Sequence, residues 1–158
     1  MAFTLSPESE KIVDDLLTRY PTKRASCLPV LHLCQRQVGW ISPDVIEYVA
    51  KRLGIETSEV KGVVTFYTMY HQHPVGKHFI QICTTSPCLC AGADDVVKAF
   101  LEHTGCKELG LTSPDGKFTV IEVECLGACG FATPVQINED YVESVTPDKV
   151  PAILEALK

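Results

Sequence analysis

Four of the eight cysteines in this 158-residue chain are spaced as ligands. Four residues separate Cys83 from Cys88, three separate Cys125 from Cys129, and 36 lie between the pairs. Thiolates are soft donors, and four that converge from two loops make a tetrahedral site for a soft metal or an iron–sulfur cluster. The run from Cys125 through Leu126, Gly127 and Ala128 to Cys129 and Gly130 is small and glycine-rich. Backbone there can wrap closely and point N–H groups at sulfur. A helix expected to begin near Gly92, just after the first pair, favours negative charge. Thiolates hold both [2Fe–2S] and [4Fe–4S] clusters, and spacing alone separates these poorly. Structural zinc also takes four cysteines in C-x2–4-C pairs. A dithiol redox pair wants C-x-x-C near a first strand. The nearest run, Cys88-Leu89-Cys90, is C-x-C and leaves Cys125 and Cys129 unexplained. Four unrelated buried cysteines, the default for any single one, fit poorly with two glycine- or proline-flanked pairs at strand ends.

The other four cysteines read as bystanders. Cys27 and Cys34 lie seven apart, hence on one face of a helix, and are expected to be buried. Cys106 follows a helix end and is expected to pack there. Cys90 is two residues past Cys88, where competition for the same metal would change the loop, so it is read as a non-ligand. The formal charge is −6, from 14 Lys+Arg against 20 Asp+Glu. That excess of acid excludes a general nucleic-acid binder, which needs a basic face. The first residues lack the basic start and apolar run of a secretory signal. No apolar stretch approaches the roughly 18–20 residues of a membrane span. A reducing, cytoplasmic setting without direct membrane insertion is therefore expected, where cysteines serve as ligands, redox groups or core.

The elements that must position these thiols divide the chain into a helical region, 1–75, and a mixed region, 76–158. Ser6-Pro7-Glu8 opens a first helix. Its stripe is Ile12, Val13, Leu16, Leu17 and Tyr20, and Pro21 stops it. A second helix is expected from Arg24 to Val38 with Gly39 as its cap; Pro29 either kinks it or marks its first turn. Ser42-Pro43-Asp44 opens a third, striped by Val45, Ile46, Val49, Ala50 and Leu53 and closed by Gly54. Thr57-Ser58 opens a fourth. After the connector from His71 to Gly76 the period changes. Phe79, Ile80 and Ile82 form a strand ending at Cys83. Gly92 to Thr104 is a helix, Pro114-Asp115-Gly116 a turn, and Phe118 to Val123 a strand. Val135 to Ile137 and Tyr141 to Glu143 form a hairpin, and Thr146-Pro147-Asp148 opens a last helix. A β-α-β unit followed by β-β-α gives a parallel pair with a right-handed crossover plus antiparallel strands. This is an α+β or α/β arrangement in which an N-terminal helical bundle precedes a thioredoxin-like domain with a four-stranded mixed sheet. Loops after adjacent parallel strands emerge at one sheet edge, so the two cysteine pairs are expected to meet there.

Several runs now carry a family resemblance. They are Leu31 to Gln35, Val38-Gly39-Trp40-Ile41, Gly62 to Tyr67, His73 to Lys77, Cys83-x4-Cys88, and Glu124 to Cys129 followed by Pro134. The chain resembles the E subunit, the small thioredoxin-like [2Fe–2S] component, of NADH:quinone oxidoreductase (complex I). It is also similar to the matching subunits of NAD-linked hydrogenases and formate dehydrogenases. The resemblance implies one [2Fe–2S] cluster held by Cys83, Cys88, Cys125 and Cys129. It implies an electron-transfer subunit of the NADH dehydrogenase module of the respiratory chain, peripheral to the inner membrane through its complex. It also implies a heterodimer with the flavoprotein, or F, subunit, which carries FMN and the NADH site. The chain itself has neither a G-x-G-x-x-G after a strand nor a G-x-x-x-x-G-K-S/T. An oxidoreductase subunit without a complete active site of its own is expected.

Other residues invite a role. His71 and His73 could bind metal, but a solvated or interface loop is the preferred reading. Trp40, Phe66, Tyr67 and Tyr70 read as a docking face or a seam between halves. Glu124 precedes a candidate ligand and either tunes it or ends a strand. Pro134 sits where thioredoxin-like folds often carry a cis-proline, so a cis Thr133–Pro134 bond is expected.

Overall fold

The computed structural model describes residues 3–157. The chain divides into two compact units, Met1–Pro74 and Val75–Lys158.

The first unit is helical: α1 (Pro7–Arg19), α2 (Cys27–Val38), α3 (Pro43–Leu53) and α4 (Thr57–Phe66), with a 3-10 turn at Lys23–Ser26 before α2. Local chemistry sets the boundaries. The Ser6 hydroxyl accepts from Ser9 N–H, and that of Ser42 from Val45 N–H, each with proline in the first turn. These side chains satisfy orphan donors at the helix start, and proline loses nothing where its missing N–H had no partner. Ser42→Ala should therefore cost about 1 kcal/mol, read as a lower midpoint in urea; an unchanged midpoint would discount the cap. Pro29 lies in the first turn of α2 and does not kink it. α4 is preceded by Glu56, whose N–H donates to the Glu59 carboxylate, so Glu56 rather than Thr57 is the cap.

The core of this unit is aliphatic, with Val13, Val30, Leu31, Val45, Val49 and Val60 fully buried. Cys27 and Cys34 lie in it, as expected. Ile12 and Tyr20 do not: of the α1 stripe only Val13 is fully buried, and Ile12 is exposed. One fully buried position suffices because α1 is an outer helix with a polar far face. Tyr70 belongs to this core, its hydroxyl donating to the Leu28 carbonyl at 2.9 Å. It is thus no part of an exposed aromatic face, whereas Phe66 is 77% exposed.

The second unit holds β1 (His78–Cys83), α5 (Ser86–Cys90), α6 (Ala93–Thr104), β2 (Phe118–Val123), β3 (Val135–Ile137), β4 (Asp140–Val142) and α7 (Val150–Ala156). The sheet order is β2-β1-β3-β4. β1 and β2 are parallel, and β3 pairs antiparallel with both β1 and β4. Ile80, Ile82, Val120 and Val135 are buried with Val96 and Phe100 of α6 and Val150 and Leu154 of α7. The mixed four-stranded sheet and flanking helices are as expected. The short α5 is not: it occupies a stretch that reads as open loop in the sequence. Thr85 precedes it and Pro87 lies in its first turn, but the Thr85 hydroxyl makes no cap hydrogen bond, and five residues are too few to show a periodic stripe.

Candidate metal centre

The register of β1 and β2 controls the site. Cys83, the last residue of β1, lies beside Val123, the last of β2. The pairing continues one step further, with Thr84 N–H donating to the Val123 carbonyl at 3.1 Å. The two loops therefore leave the sheet together, Thr84 and Thr85 from β1, leading into α5, and Glu124 to Ala128 from β2. On the other side of β1, Cys83 N–H donates to the Pro134 carbonyl at 3.3 Å. Cys83, Cys88 and Ala93 form a small buried cluster, with Leu126 and Ala132 packed against it.

All eight cysteines are free thiols. Cys88 Sγ lies 3.3 Å from Cys83 Sγ, and both are buried. Cys125 and Cys129 are exposed. Gly127, left-handed at φ 74°, turns the loop so that its N–H donates to Cys125 Sγ at 3.4 Å. Tyr141 O–H donates to the Leu126 carbonyl at 3.0 Å and ties this loop to β4. On the other loop Thr85 Oγ1 lies 3.1 Å from Cys83 Sγ and also donates to the Glu124 carbonyl.

These surroundings divide the thiols. Burial opposes ionisation of Cys83, but hydrogen bonds from the Thr85 hydroxyl and backbone, from Cys88 and from the Leu126 backbone outweigh it and hold the thiol below its ordinary value. Burial pushes Cys88 up to about 11, with added repulsion from Cys83, Cys129 and Cys125. The charge of Cys125 raises Cys129, with Cys83 adding to it. Each pair feels the other, as thiols gathered at one sheet edge must. Their mutual repulsion when ionised is relieved by positive charge at the centre.

The donor set suits an iron–sulfur cluster. Among the described residues no three His, Cys, Asp or Glu side chains are gathered tightly enough to hold one metal ion. Zinc needs its sulfurs about 2.3 Å from a single point. The four candidate thiols come as two pairs, and the two irons of a [2Fe–2S] cluster would each take two thiolates.

The remaining cysteines stay apart from this edge. Burial raises Cys27 to about 11 and Cys34 to about 12. Cys106 is buried, its thiol donating to the Phe118 carbonyl at 3.5 Å. Cys90 is exposed at the end of α5. The His71 backbone is pinned by the Gln35 side chain, and burial lowers the imidazole; His73 is exposed. Glu124 contributes its backbone carbonyl, not its carboxylate, to the edge. The cis peptide is Ala132–Thr133, one residue before the expected position, so Thr133–Pro134 is trans. Thr85 escapes a reading of the sequence alone. Its signal is a hydroxyl residue two positions after a strand-ending cysteine, at the cap of a short helix.

Known proteins share these features. The model of the thioredoxin-like [2Fe–2S] ferredoxin family matches residues 13–158. The E subunit of the NADH-quinone oxidoreductase of Rickettsia bellii is 45% identical over 159 residues, covering 99% of this chain and 95% of that protein. A mitochondrial NADH dehydrogenase [ubiquinone] flavoprotein 2 of Dictyostelium discoideum is 38% identical, covering 99% of this chain and 64% of that one. An NAD+-reducing [NiFe]-hydrogenase structure superposes with a TM-score of 0.73 at 16% identity, over 84% of this chain and 22% of that one. At that identity the likeness is one of fold. No helix among the described residues is long and apolar enough to cross a membrane. The chain belongs to the thioredoxin-like [2Fe–2S] ferredoxin family, in the branch of the NADH-quinone oxidoreductase E subunits.

Proposed function

We propose that this chain is the electron-transfer subunit of the NADH dehydrogenase module of a respiratory NADH:quinone oxidoreductase. It would exchange one electron between a [2Fe–2S] cluster, held by Cys83, Cys88, Cys125 and Cys129, and the FMN of a partner flavoprotein, the F subunit, which also carries the NADH site. When bound, the cluster supplies one-electron chemistry between ferric and ferrous iron, without covalent intermediate or general acid–base group. The observation that carries the reading is the pairing of four free thiols at one sheet edge in a chain 45% identical to an E subunit. A NAD-linked hydrogenase or formate dehydrogenase would use the same arrangement. The names of the relatives favour the quinone-linked complex, with this chain held at the inner membrane through its partners.

The residues divide the work. Cys83 and Cys88 form a dry side, closed by Ala93, Leu126 and Ala132. Cys125 and Cys129 form a side open to solvent. On or against the same loop stand Phe131 and Tyr141, exposed by 56 and 50%. Exposed apolar side chains around an exposed ligand pair suit a surface that a partner covers. Loop N–H groups, as from Gly127 to Cys125, stabilise negative charge on sulfur and tune the potential.

The direct test is the anaerobically purified protein. A brown solution with charge-transfer bands, and an EPR signal on reduction, is expected. Colourless, EPR-silent protein with one zinc per chain would overturn the reading. Purification from the native cell should also bring down an FMN-binding partner.

A further inference from the structure

We infer that Thr85 is a positioning residue whose O–H turns from the Glu124 carbonyl to donate a hydrogen bond to the Cys83 sulfur when Cys83 becomes a thiolate ligand. This rests on the ligand reading above. Thr85 Oγ1 lies 3.1 Å from Cys83 Sγ and is bonded at the same time to the Glu124 carbonyl. It thereby bridges the two ligand-bearing loops, 39 residues apart in sequence.

Proton counting leads to the exchange. A hydroxyl has one proton to give and two lone pairs to accept with. While Cys83 is a thiol, its S–H can donate to Thr85 Oγ1 or to the Glu124 carbonyl at 3.5 Å, and Thr85 O–H donates to that carbonyl. The Cys88 thiol meanwhile donates to Cys83 Sγ at 3.3 Å. Ligation removes both thiol protons. Cys83 becomes an acceptor only, and Cys88 can no longer donate to it. The single Thr85 proton then faces a neutral carbonyl and a thiolate, and a hydrogen bond to the charged acceptor is roughly twice as strong. Substitution of the Thr85 side chain leaves the backbone around this sulfur in place, so it isolates the hydroxyl.

A donor on a ligand sulfur is held more tightly when the site carries an extra electron, so it raises the reduction potential. Thr85→Val should lower the ratio of reduced to oxidised protein at fixed ambient potential about tenfold, which is about 59 mV for one electron. Thr85→Ser should match the wild type. The measurement is an EPR-monitored redox titration of the purified proteins. Electron–nuclear double resonance after exchange into D2O should add an exchangeable proton coupling that Val loses and Ser keeps. If Val does not take up iron, Thr85→Ala is read in its place. Failure of both to load, beside a Ser variant that loads at the wild-type potential, equally supports the hydroxyl. A Val or Ala variant that loads with unmoved potential and coupling overturns the inference, as does a Ser variant displaced as far as Val. A wild type without a [2Fe–2S] signal overturns the ligand reading and this inference with it. A wild type with the signal, beside an unmoved Val variant, overturns the inference alone.

Discussion

Serine at Cys83, Cys88, Cys125 or Cys129 is expected to strip most of the iron from the purified protein, while serine at Cys27, Cys34, Cys90 or Cys106 leaves it in place. Serine keeps the size of the side chain but replaces a soft thiolate with a hard hydroxyl that does not ionise near neutral pH. The loss should exceed the roughly 10–100-fold in affinity that follows removal of a group hydrogen-bonded to a ligand. The two pairs should fail differently. Cys88→Ser places a hydroxyl in a fully buried setting beside Cys83, so stability should fall along with loading. Cys129 is exposed, so Cys129→Ser should lose iron with little change in its apo fold. Cys34→Ser gives the converse control. It buries a polar group in an aliphatic core at a cost of about 1–3 kcal/mol and leaves the spectrum intact. Iron and sulfide analysis with visible spectra of all eight variants decides the matter. Full iron in Cys129→Ser would sink the four-ligand set.

Gly76→Ala is expected to damage both the fold and the site from the far end of β1. A Cβ at Gly76 would stand 2.6 Å from the Phe118 carbonyl carbon, 2.7 Å from its nitrogen and 2.8 Å from the Lys117 carbonyl carbon. All three are backbone atoms, so no side chain can swing aside. Gly76 N–H also donates to the buried Thr119 hydroxyl at 2.8 Å. Overpacking costs typically about 1–3 kcal/mol, and a buried hydrogen bond broken on one side about 1–3 more. The two together are a large share of the roughly 5–15 kcal/mol that holds an ordinary domain. The shift acts where β1 and β2 begin their pairing, at His78 beside Phe118. Displacing the strands there moves Cys83 relative to Cys125 at the other end. Urea denaturation followed by circular dichroism, with iron content on the same samples, should show both losses. A variant with wild-type midpoint and iron would mean that the backbone yields more easily than its packing implies.

Some of this molecule was legible because its causes are local. Ser6-Pro7 and Ser42-Pro43 announced helix starts since cap and proline act within one turn. The change from helical to alternating period near Phe79 announced the sheet. The hairpin after Pro134 announced the antiparallel half. Other features were hidden because their causes are not local. α5 is too short for its side chains to repeat. Tyr70 reads in sequence as part of a docking face or of a seam between halves, and only the packing of α2 shows its hydroxyl bound to the Leu28 carbonyl. The cis bond precedes Thr133, not Pro134, and no residue type there marks it.

By itself the sequence determined the candidate donors, their two-plus-two spacing, and the strands and longer helices around them. Residue type and periodicity act over a few positions, and that range is enough. Only the tertiary structure decided that Cys83 and Cys88 are dry while Cys125 and Cys129 face solvent. Only it put the Thr85 hydroxyl between a thiol of one loop and a carbonyl of the other. Both follow from the register that sets Cys83 beside Val123. A register is a relation between distant segments, settled by which side chains the whole sheet buries.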